Sequence, residues 1–102
     1  MSARSRRLTI KPDAQADIDW ILLFTRKRWG ADQRRRYRAR LTHALNGLRD
    51  HPELGPTRND LFPGCRNLSV DEHVDFYTIT EEAIIVVRVL HGSQDARGKV
   101  AP

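Results

Sequence analysis

Residues 83–92 read AIIVVRVLHG, an almost wholly apolar stretch that ends in charged and polar groups. Its richness in Ile and Val is typical of a buried β-strand. A second strand-like segment, residues 74–79 (VDFYTI), precedes it, and only residues 80–82 lie between the two. The pair is therefore predicted to form an antiparallel hairpin joined by a short turn.

Arg88 interrupts the apolar strand. An unpaired guanidinium inside a protein core is very costly, so Arg88 must either pair with a carboxylate within the fold or face an open side of the sheet. On an open side it would be available to an acidic ligand. The sequence leaves both roles open, one structural and one functional.

The chain has 102 residues and a formal net charge of +5. This length suits a single domain over residues 1–102, with room for one hydrophobic core. A positive charge balance favours acidic partners, which include nucleic acid, an acidic protein surface and an acidic disordered segment. Charge alone does not choose among them.

Cys65 is the one cysteine of the chain, which excludes an internal disulfide, and no Cys/His pair has zinc-ligand spacing. We therefore expect a fold without metal or cofactor, in which Cys65 is a small buried hydrophobe rather than a reactive thiol. The sequence has no apolar window of about 18 residues, and only a few apolar residues follow its basic start, so we expect neither a membrane span nor a signal peptide. We expect a cytoplasmic protein that does not engage a membrane.

Residues 7–10 alternate enough to form a short first strand. Pro12 and Asp13 end that strand and open a helix that runs to about Trp29. Apolar residues at helical spacing are expected to form its core stripe, namely Ala14, Ile18, Ile21, Leu22, Thr25 and Trp29.

Trp20, Leu23 and Phe24 lie off that stripe, so the first helix is apolar on more than one side. Such breadth indicates either deep burial, which is the simpler interpretation, or a surface patch kept for a partner.

Gly30 suits the end of the first helix, and Asp32 suits the N-cap of a second helix over about residues 33–49. The two helices would form a helical hairpin. Core spacing on the second helix is predicted for Tyr37, Leu41, Ala44, Leu45 and Leu48. Its remaining surface is strongly basic and carries Arg34, Arg35, Arg36, Arg38 and Arg40. Such a run is either a solvated face or a surface for an acidic partner.

A loop rich in Pro and Gly follows, and residues 65–70 then alternate as a second strand that turns into the third at Asp71 and Glu72. The predicted order is β-α-α-β-β-β, an α+β fold with the helical hairpin on one face of a mostly antiparallel sheet. We expect the opposite face to be open to solvent or ligands. Residues 93–102 have almost nothing to bury and are expected to form a mobile tail.

Metal-free RNA cleavage needs a general base, a general acid and cations to stabilise the transition state. The candidate groups for such chemistry are Arg58, Arg66, Arg88 and His91, and Tyr77 would join them if it faced the same way. Their convergence depends on strand register, which the sequence does not fix. The alternative is that these arginines pair with acidic residues of the chain, namely Asp60, Asp71, Asp75 or Asp95.

The order of these elements and several short motifs resemble the ParE branch of the RelE/ParE toxin superfamily. The resemblance spans nearly the whole chain. It rests on KPDA at 11–14 with Asp17-Ile18, Trp29-Gly30, Tyr37 with Leu41, HPELG at 51–55, FPGCR at 62–66, Phe76-Tyr77, and RVLHG at 88–92 with Asp95. Two residues depart from the pattern, because Asp75 stands where such chains usually carry an apolar residue and Thr78 where arginine is common. Either could loosen the third strand or change what the open face binds.

Resemblance to ParE implies a toxin that traps DNA gyrase with cleaved DNA and is silenced by a cognate, ParD-like antitoxin in a hetero-oligomer. No catalytic residue is expected in that case. The related RelE branch consists of ribosome-dependent endoribonucleases, for which Arg66, Arg88 and His91 would do the chemistry. The scarcity of lysine on the three-strand meander counts against that branch. A basic nucleic-acid-binding module is a third alternative.

Antitoxins of both branches wrap the toxin with a flexible, often acidic segment. Three surfaces suit such a segment: an apolar one on the first helix, a basic one on the second, and an exposed sheet edge that could accept an added strand. Which edge is free depends on where the first strand lies in the sheet, and the sequence leaves that open. The residues predicted to bind the antitoxin are Trp20, Leu23, Phe24, Arg34, Arg35 and Arg38.

Overall fold

The computed structural model describes residues 5–102, which form two α-helices and one four-stranded sheet. In chain order the elements are β1 (Arg7–Ile10), α1 (Pro12–Trp29), α2 (Ala31–Asp50), β2 (Arg66–Val70), β3 (His73–Ile79) and β4 (Ala83–His91). The predicted α+β class and β-α-α-β-β-β order are confirmed. Neither helix in the described range has the length and hydropathy needed to span a bilayer.

The sheet is mixed and has the strand order β1-β4-β3-β2. β3 runs antiparallel to both β4 and β2, whereas β1 runs parallel to β4. The strand richest in Ile and Val is thus internal, which explains why both of its faces are apolar. Its register shifts between the pairs Phe76–Arg88 and Tyr77–Val86, so Val87 is the extra residue of a β-bulge.

Gly30 separates the two helices and has a φ of 97°, which a residue with a side chain rarely adopts. Because this one residue makes the whole turn, α2 begins at Ala31 and the N–H of Arg34 donates to the Gly30 carbonyl. The prediction that Asp32 is the N-cap is therefore wrong. Asp32 lies in the first turn of α2, where its carboxylate pairs with Arg35.

The main core lies between the helices and one face of the sheet. The predicted stripe on α2 is confirmed, with Ala44 partly buried and the other four residues buried. On α1 the predicted stripe is buried from Ala14 to Leu22. Trp29 is 65% exposed, so its prediction as a core residue is wrong; it is the last residue of the helix. The buried residues of this core are Ala14, Ile18, Ile21, Leu22, Tyr37, Leu41, Leu45, Leu48, Val70, Tyr77, Ile84, Val86 and Val89.

The opposite face of the sheet is covered, so the prediction of an open face is wrong. Phe62 and Cys65 from the loop before β2 pack there, and Ala96 and Val100 from the C-terminal segment complete the cover. The prediction that residues 93–102 have almost nothing to bury is also wrong, since Ala96 is 7% and Val100 5% exposed. Two small apolar side chains are enough because the sheet supplies the remainder of this second core, namely Phe76, Val87 and Leu90.

Cys65 is fully buried, as predicted, and burial raises the pKa of its thiol to about 11. Asp75 faces the helices rather than the second core, so it cannot change what the opposite face of the sheet contacts. β3 remains continuous from His73 to Ile79 despite this buried carboxyl. Thr78 donates from its hydroxyl to the Gly64 carbonyl at 3.1 Å, which ties β3 to the loop.

Candidate partner-binding surface

The outer side of α1 carries four of the five exposed large apolar side chains of the described residues, namely Trp20, Leu23, Phe24 and Trp29. Trp20 is 64% exposed, Leu23 48% and Phe24 49%, so the burial interpretation is wrong for all three. The rings of Trp20 and Phe24 stack on each other, with centroids 5.3 Å apart and planes within 9°. One turn of helix separates the two residues, which places them side by side and keeps both out of the core.

A groove of about 820 Å³ runs between this side of α1 and the end of β4. One wall carries Asp17, Trp20, Phe24 and Trp29. The other carries Val89, Leu90 and His91 of β4, together with Glu72 and His73 where β3 begins. Arg28 lies 5.0 Å from the Trp29 ring centroid, a cation–π contact at the end of the groove. We call this feature the α1 groove. It is apolar along its length, with charged groups at its ends.

Arg88 pairs within the fold, which settles the question that the sequence left open. Its Nε and Nη2 donate to the two carboxylate oxygens of Asp17 at 2.7 and 3.0 Å, and its Nη1 donates to the Lys99 carbonyl at 3.0 Å. The hydrogen bonds that Arg88 donates to Asp17 raise the pKa of Arg88. The partner is Asp17 and not one of the four aspartates that the sequence analysis considered, because the pairing depends on how α1 crosses the sheet.

Asp17 also protects an exposed strand edge. β1 pairs with β4 only from Ala83 to Val86, so the next part of β4 has no strand on that side in residues 5–102. There Asp17 accepts the Val89 N–H at 2.9 Å. The carboxylate thus accepts three hydrogen bonds and satisfies a backbone donor that β1 does not reach.

The remaining candidates for RNA chemistry are held by separate intrachain contacts. Arg66 donates to the carbonyls of Glu53 and Gly55 at 3.3 and 2.7 Å, on the far side of β3 from Arg88. Arg58 forms two 2.9 Å hydrogen bonds with Asp60, the pairing that the sequence analysis allowed.

His91 lies at the end of β4, with Nε2 3.8 Å from Glu72 and Nδ1 2.7 Å from the Ser93 hydroxyl. Tyr77 is fully buried under the loop before β2, so it does not join these groups. The structure therefore brings no two of the four candidate residues into a hydrogen bond with each other within the described range.

The basic residues of α2 do not lie in the α1 groove. Arg34 and Arg38 line a separate cleft on the other flank of α1, together with Asp19 and β1. Arg35 is bonded to Asp32 and lines neither cavity. Leu23 is exposed and also lines neither cavity. Of the six residues predicted to bind an antitoxin, two thus line the α1 groove and two line the cleft on the other flank, and one partner would have to pass over the helix to contact both pairs.

Sequence reasoning found only part of the sheet side of the α1 groove, namely Arg88 and His91. Glu72, His73 and Gln94 line it, and none was singled out. The sequence offered one weak indication of this wall. His73 comes just before the first predicted strand of the hairpin and His91 lies at the end of the second, so an antiparallel pairing brings the two together. Their pairing in the sheet places the two rings 5.5 Å apart. Among residues 5–102, no three His, Cys, Asp or Glu side chains are grouped so as to hold a metal ion.

Residues 8–96 match the protein family described as the ParE toxin of the type II toxin–antitoxin system parDE. The chain belongs to the ParE toxin family. The match begins in β1 and ends in the C-terminal segment, so it includes both walls of the α1 groove. The chain is therefore a type II toxin of the ParDE kind, as its resemblance to the ParE branch implied, and membership implies an antitoxin partner.

Relatives of established name support this assignment. Toxin ParE1 of Mycobacterium tuberculosis is 40% identical over 92 residues, which cover 89% of this chain and 94% of that protein. Toxin ParE of Escherichia coli is 32% identical over 90 residues, or 87% of each chain. A solved chain of the chromosomal ParDE TA system from P. aeruginosa has a TM-score of 0.74. That alignment covers 87% of this chain and 98% of that one at 18% identity, and it shows a common fold.

Proposed function

We propose that this toxin poisons DNA gyrase in the bacterial cytoplasm without catalysis of its own, and that a ParD-like antitoxin neutralises it in a hetero-oligomeric complex. The family match over residues 8–96 carries the proposal. Resemblance to the ParE branch implies gyrase as the target, and the relatives named ParE and ParE1 extend over nearly the same residues.

The contacts of the arginines favour a toxin that acts by binding. Arg58, Arg66 and Arg88 each donate hydrogen bonds to acceptors within the chain, and these acceptors lie in different parts of the fold. An endoribonuclease needs its cations directed at one scissile phosphate. Redirecting Arg88 toward RNA would leave the Asp17 carboxylate without its counter-ion and the Lys99 carbonyl without its donor.

The exposed side of α1 supports the antitoxin part of the proposal. Full burial of a large apolar side chain contributes about 1.5–3 kcal/mol, and interface energy concentrates in such aromatic anchors. Trp20 and Phe24 are already stacked, so little side-chain order would be lost when a partner covers them. The charge of +5 adds attraction for an acidic segment. A partner of this chemistry is an amphipathic segment with apolar residues on one side and carboxylates on the other.

The gyrase target is tested with purified gyrase, plasmid DNA and the purified chain. We expect loss of supercoiling together with accumulation of linear DNA after protein denaturation, because a poison traps the enzyme with cleaved DNA. The matched control is the chain mixed beforehand with its antitoxin. Absence of both effects from a folded chain contradicts the proposal, and cleavage of messenger RNA on translating ribosomes by the same preparation would favour the endoribonuclease alternative.

The antitoxin surface is tested with the double substitution Trp20→Ala and Phe24→Ala. The probe is the acidic-tailed DNA-binding protein expected from the neighbouring gene. Each lost anchor should weaken binding roughly tenfold or more, which corresponds to about 1.4 kcal/mol each. Leu54→Ala is the matched control, since Leu54 is 63% exposed but lies in the loop after α2. If the double variant and the control bind the antitoxin with equal affinity, the α1 groove is not part of the interface.

A further inference from the structure

Asp75 is a fully buried carboxyl on the helix side of β3. Its neighbours across the sheet are Leu68 on β2 and Val89 on β4, and both are apolar. Neither of its carboxylate oxygens has a hydrogen-bond partner among the described residues. Burial raises the pKa of Asp75 to about 7, and no neighbouring cation lowers it.

Two other buried polar groups without partners lie beside this carboxyl. They are the hydroxyl of Tyr37 on α2 and Nδ1 of His73 on β3. The Tyr37 and His73 rings are 5.4 Å apart, and the charge of Asp75 contributes to raising the pKa of Tyr37, after burial itself. Within residues 5–102, all four buried side-chain atoms without a partner belong to these three residues. Buried orphans are rare, so their concentration at one place is informative.

The charged groups around the cluster are all occupied elsewhere. On α2, Arg36 donates to the Gln33 side-chain oxygen at 3.0 Å, and Arg40 donates three hydrogen bonds to Asp71, at 2.6 to 3.1 Å. On α1, Asp17 is bonded to Arg88 and to the Val89 N–H. Glu72 lies in the turn before β3 and His91 at the end of β4. The His91 Nε2 atom is 3.8 Å from a carboxylate oxygen of Glu72. Burial and the neighbouring His91 lower the pKa of His73, so His73 is also disfavoured as a cation.

We propose that Tyr37, His73 and Asp75 form a proton-operated latch between α2 and β3, closed while the Asp75 carboxyl keeps its proton and released when that proton is lost. None of the three groups is hydrogen-bonded to another in the structure. A neutral carboxyl adds a donor to a cluster that otherwise offers a hydroxyl and an imidazole nitrogen, and it costs far less to bury than a carboxylate. A carboxylate at the same place has no cation to pair with, and its charge favours exposure to water.

The latch lies beside the α1 groove, because His73 lines both that groove and the cleft between Tyr37 and the start of β3. Release would therefore loosen α2 and the sheet wall of the groove before the rest of the fold. The latch does not depend on the proposed toxin target, and it is tested on the isolated chain.

The first test is urea unfolding across pH for the wild-type chain and for Asp75→Asn. The native carboxyl binds its proton up to a pKa of about 7, against an ordinary value of 3.8. Relative to Asp75→Asn, the stability of the wild-type chain should therefore be highest below pH 4 and should fall up to about pH 7. The unfolding constant should rise about tenfold per pH unit in that window and level off above it. Parallel profiles for the two proteins would overturn the proposal.

Two further variants keep the result interpretable. Asp71→Asn removes an exposed carboxylate four residues away and keeps a residue type that tolerates its φ of 54°, so it should retain the wild-type pH profile. Asp75→Val replaces the carboxyl with an apolar side chain, so its stability should not depend on pH in the same window. This second variant keeps the test possible if Asp75→Asn does not fold.

Hydrogen exchange separates a latch from general destabilisation. In the wild-type chain, protection of the amides of α2 around Tyr37 and of β3 should decrease between about pH 4 and pH 7 and level off above, after correction for intrinsic rates. Protection in β1 and in Ala83–Val86, the part of β4 that pairs with β1, should persist. In Asp75→Val, both regions should stay protected. A uniform loss of protection in the wild-type chain, or no loss, would overturn the latch.

Discussion

At the scale of single residues, the buried Tyr77 and the glycine above it show how tightly the loop before β2 is held. The Gly55 N–H donates to the Tyr77 hydroxyl at 3.0 Å, and that hydroxyl donates to the Pro52 carbonyl at 2.7 Å. A Cβ on Gly55 would lie 2.3 Å from the Asn67 carbonyl oxygen and 2.8 Å from the Tyr77 hydroxyl. Glycine is required here by space, because backbone approaches backbone.

Gly55→Ala should therefore destabilise the chain by about 1–3 kcal/mol, since the loop must move away and the hydrogen bond to Tyr77 is strained. Urea unfolding followed by circular dichroism measures the change. Gly47→Ala is the matched control, because Gly47 lies in α2 with nothing within 4 Å of its Cβ position. That change should stabilise the chain by about 0.5–1 kcal/mol. Destabilisation of equal size by both changes would show that the close approach at Gly55 is unimportant.

At the scale of elements, Asp17 joins three parts of the fold. It lies on α1, binds Arg88 and the backbone of β4, and through Arg88 it is connected to the carbonyl of Lys99 in the C-terminal segment. The side chains of Arg88 and Asp17 are only 26% and 16% exposed, so water screens this pair less than a surface pair. Asp17 thus fixes the position of α1 against the sheet and forms one end of the α1 groove.

Asp17→Asn should cost about 2–3 kcal/mol of stability, because the hydrogen bonds to a charged acceptor are lost and the Arg88 guanidinium loses its counter-ion. Asp60→Asn is the matched control. It removes the Asp60 partner of Arg58, whose side chains are 59% and 33% exposed, and should cost about 0–1 kcal/mol. Denaturant unfolding at neutral pH distinguishes the two. Similar small losses would mean that the Asp17–Arg88 pair does not hold the elements together.

At the scale of the whole molecule, an apolar surface and a basic surface lie on different flanks of α1. The α1 groove carries Trp20 and Phe24, whereas Arg34 and Arg38 line the cleft toward β1. A net charge of +5 acts over a distance set by salt, about 8 Å at physiological ionic strength. We expect the basic flank to attract an acidic partner and the apolar flank to hold it.

This division of roles predicts how salt affects the antitoxin complex. The association rate should fall steeply as salt rises, and the paired change Arg34→Gln with Arg38→Gln should flatten that dependence while leaving the dissociation rate nearly unchanged. Arg97→Gln is the control, because Arg97 is bonded to Asp95 in the C-terminal segment, away from both helices. Surface binding kinetics measure both rates. A salt dependence unchanged by the pair would show that these arginines do not steer the partner.

Several features were readable from local sequence. The apolar strand over residues 83–92, the glycine turn at Gly30 and the core spacing of α2 each depend on neighbouring residues, and the structure confirms them. Arg88 was recognised as needing a partner, but that partner lies 71 positions away. The cover on the second face of the sheet was missed because Ala96 and Val100 are small, isolated apolar residues whose burial depends on what they meet.

The sequence by itself determined the element order, the α+β class and the resemblance to the ParE branch, since all three depend on periodicity and on motifs in chain order. Only the tertiary structure decided that β1 lies beside β4, that Arg88 is bound by Asp17 and that Asp75 is buried without a partner. It also decided that Trp20 and Phe24 face solvent. The physical reason is common to these cases. Pairing and burial are set by contacts between elements, and those contacts follow from strand order and from the way the helices cross the sheet.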